Sequence, residues 1–242
     1  MFGDFSDFKI IEKVNLFSRK SKKILNSKKI VLCVPNTLIY FFNNKLKSKH
    51  ILLGAQNCHH ELKYGPFTGS VNASMLKKSG AQYIILGHSE NRLEGESNLL
   101  IKKKIISSLS QNLNVILCIG ETHFEKKKNK TFSVIRKQLI QSLDKKFKIN
   151  KIIIAYEPIW SIGSNKIPST KDLKKTVLFI KKNLKNIFKI KRLPPILYGG
   201  SVNPKNVSFF ATINEIDGFL IGGASQSSKK FIDIVKNYYK HH

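Results

Sequence analysis

Acidic residues are scarce in this chain. There are 15 Asp and Glu against 43 Lys and Arg, a formal net charge of +28 over 242 residues. Such an excess points toward polyanionic partners such as nucleic acid or an acidic membrane surface. Arginine is scarce too, limited to Arg19, Arg92, Arg136 and Arg192, which leaves 39 lysines. Bidentate reading of phosphates and bases favours guanidinium, so this shortage argues against a selected nucleic-acid role. The lysines are spread over nearly every predicted helix, among many Asn and Ile, as on ordinary solvated faces. No nucleic-acid partner is expected, although the field favours an anionic small-molecule substrate under either reading.

Other absences narrow the class further. No apolar run reaches about 18 residues, so no transmembrane helix and no membrane partner are expected. The first ten residues, MFGDFSDFKI, lack the basic-then-apolar order of a secretory signal. The three cysteines, Cys33, Cys58 and Cys118, lie far apart in sequence and two sit in apolar runs. They are expected as reduced thiols in a cytoplasmic protein. No G-x-G-x-x-G follows the first strand, which leaves a dinucleotide site without support. No linker or low-complexity segment divides the chain. With 41% hydrophobic residues it can bury one large core, and a single domain over 1–242 is expected.

What is present is alternation. Short β-branched runs occur at 30–34, 51–53, 83–86, 115–119, 152–156, 196–198 and 218–221, each followed by an amphipathic stretch. In the first helix Ile10, Val14 and Phe17 recur at i, i+4 and i+7, with Ser6 or Asp4 as the cap. Pro194-Pro195 reads as a stop between helix and strand. Strands alternating with helices imply a parallel sheet, either doubly wound or closed as a barrel. The polar residues that end the strands favour the barrel: Asn36, Gln56-Asn57, His88, Glu121, Glu157, Gly200-Ser201 and Gly222-Gly223. In a (β/α)8 barrel such carboxyl ends converge on one mouth.

Several of these residues suit chemistry, and each has a plainer structural reading beside it. Glu157 ends the strand IIIAY before a Pro- and Gly-containing loop, a place for a general base; it would otherwise be an ion-paired glutamate. His88 precedes Ser89-Glu90, which look like a first helical turn. The positive end of that helix would leave a neutral imidazole able to polarise a carbonyl; alternatively His88 is structural. Gly199-Gly200-Ser201 and Gly222-Gly223 end successive strands and would let backbone N–H groups reach a phosphate, or simply mark tight turns. Residues 159–164, with Trp160 and Gly163, form either a closing lid or a loop packed on the rim. Cys58-His59-His60-Glu61 invites a metal, but adjacent side chains rarely converge on one ion, and no metal site is expected.

Together these segments resemble the triosephosphate isomerase family. The resemblance rests on Gly54-Ala55-Gln56-Asn57, Phe67-Thr68-Gly69, Gly87-His88-Ser89-Glu90 and 117–122 (LCIGET). It continues through 155–163 (AYEPIWSIG), 198–202 (YGGSV) and 222–225 (GGAS). It implies a TIM barrel and a cofactor-free aldose–ketose isomerase of glycolysis and gluconeogenesis, cytoplasmic and homodimeric, that interconverts dihydroxyacetone phosphate and D-glyceraldehyde 3-phosphate. Glu157 would be the base and His88 the electrophile. Gly163, Ser201, Gly222 and Gly223 would hold the phosphate, and Asn57 and Thr68 would shape the site and the dimer contact.

The sequence also departs from that pattern. The family opens with a strand ending in Asn-x-Lys, its lysine catalytic, followed by Met-x-Gly; here Met1-Phe2-Gly3 stands at the Met-x-Gly. The expectation is a barrel with seven strands, lacking the first, in an amino-terminally truncated domain. Asn91, Asn165 and Ser70 replace a usual arginine, glycine and acid. Two other readings stand beside the isomerase: a catalytically impaired barrel remnant, and a basic nucleic-acid-associated protein.

Overall fold

The computed structural model describes residues 3–21, 25, 28–46, 48, 50–164 and 166–239. Met1, Phe2 and Asn165, all weighed above, lie outside the described residues.

Seven parallel strands form one sheet in sequence order: β1 (Ile30–Val34), β2 (Ile51–Ala55), β3 (Tyr83–Leu86), β4 (Asn114–Ile119), β5 (Ile152–Tyr156), β6 (Ile196–Tyr198) and β7 (Gly218–Phe219). The sheet curls as a TIM barrel with one strand fewer than eight, as the sequence leads one to expect. β1 pairs with β2 and β7 with β6, so each has one partner among the described residues. Strand bounds differ slightly from expectation. β2 runs on to Ala55 and β4 begins at Asn114, while β7 stops at Phe219 instead of Ile221. With one neighbour a strand loses its ladder early, although Leu220 N–H still donates to the Tyr198 carbonyl at 3.0 Å.

Side chains alternate across this sheet, as the pleat requires. Val31, Cys33, Leu52, Tyr83, Ile85, Ile116, Cys118, Ile153, Ala155, Leu197 and Leu220 form one cluster that holds no residue of a described helix, and so fill the barrel interior. Their neighbours in sequence, such as Leu53, Ile84, Leu117 and Ile154, pack against helices. Six interior residues, Val31, Cys33, Leu52, Ile153, Leu197 and Leu220, are only half-buried, and most lie on the strands nearest the two edges.

Among the described residues ten α-helices surround the sheet: α1 (Phe8–Lys20), α2 (Ile39–Lys45), α3 (Ala73–Lys78), α4 (Ser89–Leu93), α5 (Asn98–Ser110), α6 (His123–Lys127), α7 (Thr131–Ser142), α8 (Thr170–Phe188), α9 (Val207–Ala211) and α10 (Ser228–Tyr239). Two of the longer ones start at a side-chain cap: Ser97 for α5 and Ser169 for α8 each accept the N–H three positions on. α8 buries Leu173, Val177, Ile180 and Leu184, a stripe at helical spacing. α1 corrects the expected stripe. Its buried residues are Ile11, Val14 and Ser18, while Ile10 and Phe17 are half-buried. Asp4 does cap, but it caps the 3-10 turn Phe5–Asp7 that leads into α1.

Candidate active site

The carboxyl ends of β3, β4 and β5 bring three groups together. Glu157 directly follows β5 and is buried, with 4% of its side chain exposed. His88 follows β3 and places Nε2 3.3 Å from Glu157 Oε1. Cys118, on β4, points inward, its thiol beside the Glu157 carboxylate. The Ser89 backbone N–H also faces that carboxylate.

Backbone geometry makes this approach possible. A Cβ on Gly120 would lie 1.8 Å from the Glu157 carbonyl oxygen, and one on Gly199 would lie 2.7 Å from Glu157 Cγ. No other residue fits at either position without moving the glutamate. Gly120 is held by Gln138 of α7, whose amide accepts from the Gly120 N–H and donates to the Gly120 carbonyl, both at 2.9 Å. Glu157 N–H donates to the Ile119 carbonyl at 2.8 Å, which continues the β4–β5 ladder into the site.

Electrostatics follow from this burial. Desolvation raises the Glu157 carboxyl above its ordinary value, opposed by His88, the Cys118 thiol, the Ser89 N–H and Arg92. Desolvation by the same interior pushes the Cys118 thiol well up, and the adjacent carboxylate adds to the shift. His88 caps α4: its Nδ1 accepts the Glu90 N–H at 3.3 Å. With Nδ1 accepting, a neutral ring carries its proton on Nε2, the nitrogen that faces Glu157. Arg92 braces the turn, donating to the Gly87 carbonyl at 2.7 Å, the Cys118 carbonyl at 3.0 Å and Asn98 Oδ1 at 2.7 Å.

Residues 158–164 lead out of β5 over the mouth. The base of this loop is tied down. Buried Ser161 donates to the Lys166 carbonyl at 2.5 Å and sits 3.0 Å from the Tyr198 hydroxyl. Its tip, Ile162, Gly163 and Ser164, is exposed. Gly222 and Gly223 are exposed as well, at the start of a 3-10 turn, Gly223–Gln226. Ser201 lies across from the loop base, its N–H donating to Ser161 Oγ at 3.3 Å.

Other expected residues lie elsewhere. Glu121 does not open onto the mouth. It is 1% exposed and accepts from Trp160 Nε1 at 2.8 Å and from the Tyr156 hydroxyl at 3.1 and 3.3 Å. Asn57 bonds Glu96 at 2.8 Å and Lys104 at 3.0 Å, beside the buried Lys104–Glu96 ion pair. Thr68 is exposed in the long β2–α3 loop. His59 and His60 stack with ring centroids 4.5 Å apart, and His60 Nε2 lies 3.3 Å from Glu61. Sequence reasoning missed Cys118, Gly120 and Lys126 as neighbours of the site or its loop, and read Gly199 for the phosphate but not for its close approach to Glu157. The glycines carried a signal, since each immediately follows a strand that borders Glu157.

Comparison with known proteins gives a consistent picture. The family model described as triosephosphate isomerase matches residues 5–238. The chain is 41% identical over 215 residues to the triosephosphate isomerase of Dictyoglomus thermophilum, covering 87% of this chain and 86% of that protein. It is 41% identical over 219 residues to that of Aquifex aeolicus, covering 88% and 87%. The crystal structure of triosephosphate isomerase from Bartonella henselae superposes with a TM-score of 0.88 at 34% identity, covering 98% of this chain and 95% of that one.

Proposed function

The chain belongs to the triosephosphate isomerase family of isomerase enzymes, and on that premise we propose how its own residues interconvert dihydroxyacetone phosphate and D-glyceraldehyde 3-phosphate. Glu157 is the base. It takes a proton from the carbon beside the carbonyl and returns it to the neighbouring carbon. His88 donates from Nε2 to the carbonyl oxygen, where negative charge develops, gives that oxygen its proton and takes the proton of the neighbouring hydroxyl, so that the two oxygens exchange roles. Gly163, Ser201, Gly222 and Gly223 hold the phosphate through backbone N–H groups, and residues 159–164 act as the lid. No cofactor enters this scheme.

The observation that carries the reading is the His88–Glu157 pair, 3.3 Å apart at a strand-end mouth. Burial supports it further, because a raised carboxyl brings a base nearer to neutral working pH. In a coupled assay Glu157→Ala should lower kcat by about 10²-fold or more, with sulfate competing against substrate. A loss below about tenfold would remove Glu157 from this role.

The same reading makes the protein a homodimer in the cytoplasm. Leu62, Tyr64 and Phe67 are exposed apolar residues on the β2–α3 loop, near a 440 Å³ cavity lined by Asn36, Asn57, His59 and Lys104. Cys33, Cys58 and Cys118 are unpaired thiols, as a reducing compartment keeps them. Sedimentation velocity should give twice the 27.6 kDa chain mass, and a monomer at micromolar concentration would refute the dimer.

A further inference from the structure

Trp160 stands three residues beyond Glu157, where the loop leaves the barrel, and it is held on two sides. Its Nε1–H donates to Glu121 Oε1 at 2.8 Å. Lys126 Nζ lies over its ring, 3.3 Å from the centroid. Glu121 is itself fixed by the Tyr156 hydroxyl. An ammonium over an indole face is attracted by the ring's negative quadrupole, more strongly where water is partly excluded. The ammonium and the carboxylate also attract each other.

The lysine's placement is built rather than incidental. α6 opens with a capping box, Thr122 accepting the Glu125 N–H at 3.2 Å and Glu125 accepting the Thr122 N–H at 2.8 Å. That start orients the next residue, Lys126, toward the loop. Its neighbours on the same turn face elsewhere: Lys127 is exposed, and Lys128 lies over Phe124. One lysine of a solvated run is thus turned against the loop.

We infer that Lys126 is a positioning residue of the lid, its ammonium clamping the Trp160 indole against Glu121 and so holding the hinge in the arrangement that leaves the mouth open. The loop tip is exposed while its base is anchored, so closure requires the hinge beside Trp160 to turn. A contact that this turn breaks opposes closure and weakens binding of any ligand that closes the lid. This inference rests on the isomerase reading for the lid but not for the clamp itself.

Trp160 is the chain's single tryptophan, so its fluorescence reports the hinge alone. K126R keeps a cation able to stack, and K126M keeps the stem without charge. In the ligand-free protein K126M should raise acrylamide quenching of Trp160 by about 1.5-fold or more, and K126R should leave it near wild type. Glycerol 3-phosphate, a probe shaped like the substrate, should then bind K126M about threefold or more tightly than wild type. Unchanged quenching in K126M would refute the clamp. Altered quenching with equal or weaker probe affinity, or no probe binding to wild type, would refute its action on the lid. Wild type that binds the probe without isomerising triose phosphate would count against the proposed base, with the clamp upheld by the quenching.

Discussion

At the scale of single residues, Glu157 shows how burial serves chemistry at a cost in stability. The folded chain holds its proton more tightly than the unfolded chain does, since desolvation dominates its shift. Its stabilising contribution is therefore fully present below the ordinary carboxyl value of 4.5 and is lost as pH rises through the higher folded value. Glu157→Gln cannot ionise. As pH rises above 4.5 its melting temperature should fall less than that of wild type, as differential scanning calorimetry would show. An equally steep fall would mean that the buried carboxylate is not what titrates. Glu157 and His88 were legible in the sequence because each ends a strand beside distinctive neighbours. The Cys118 thiol was not, because its contact with Glu157 crosses from β4 to β5 and depends on which face of the sheet each residue takes. Lys126 was hidden for a different reason: nothing in a Lys-Lys-Lys run tells which ammonium turns inward.

At the scale of elements, the strands were read nearly to the residue because buried parallel strands are continuous β-branched runs. The first helix was read half a face off. Ile10 and Ile11 are adjacent, and either can start an apolar stripe. The choice falls to Ile11 because α1 packs on both the barrel wall and α10, which tertiary contacts decide and local pattern does not. The sheet edges carry a further consequence. Central strands such as β4 are bonded on both sides, whereas β1 and β7 have one partner each. Amide hydrogen exchange should therefore be about tenfold or more faster in β1 and β7 than in β4. Equal protection along the sheet would show that the edges are covered in solution.

At the scale of the whole molecule, charge is the dominant feature. Among the described residues three lysine–carboxylate pairs occur: Lys102–Asp144, Lys104–Glu96 and Lys174–Glu215. They neutralise little of a +28 surface, so the folded state repels itself. Raising salt from about 0.02 to 0.5 M shortens the screening length several-fold and should raise the melting temperature by several degrees. A melting temperature that is flat or falls in salt would show that ion pairs, not repulsion, dominate the surface. Composition revealed this charge directly, but not that Lys104 and Lys126 are drawn from the same lysine pool into partly buried contacts.

The neighbour-to-neighbour order of the sheet also bears on how the chain acquires its shape during synthesis. Every strand pairs with the strand just before or after it in sequence, across 21 to 42 residues, so no pairing has to wait for a distant strand. A chain emerging from the ribosome amino end first can add each strand–helix unit to the one already formed, without waiting for its carboxyl end. The two ends meet through α1 and α10, where Val14 and Phe17 pack with Phe231, Ile232 and Val235. α10, made after α1, thus docks on a helix already formed, and that late contact draws the two edges of the sheet together.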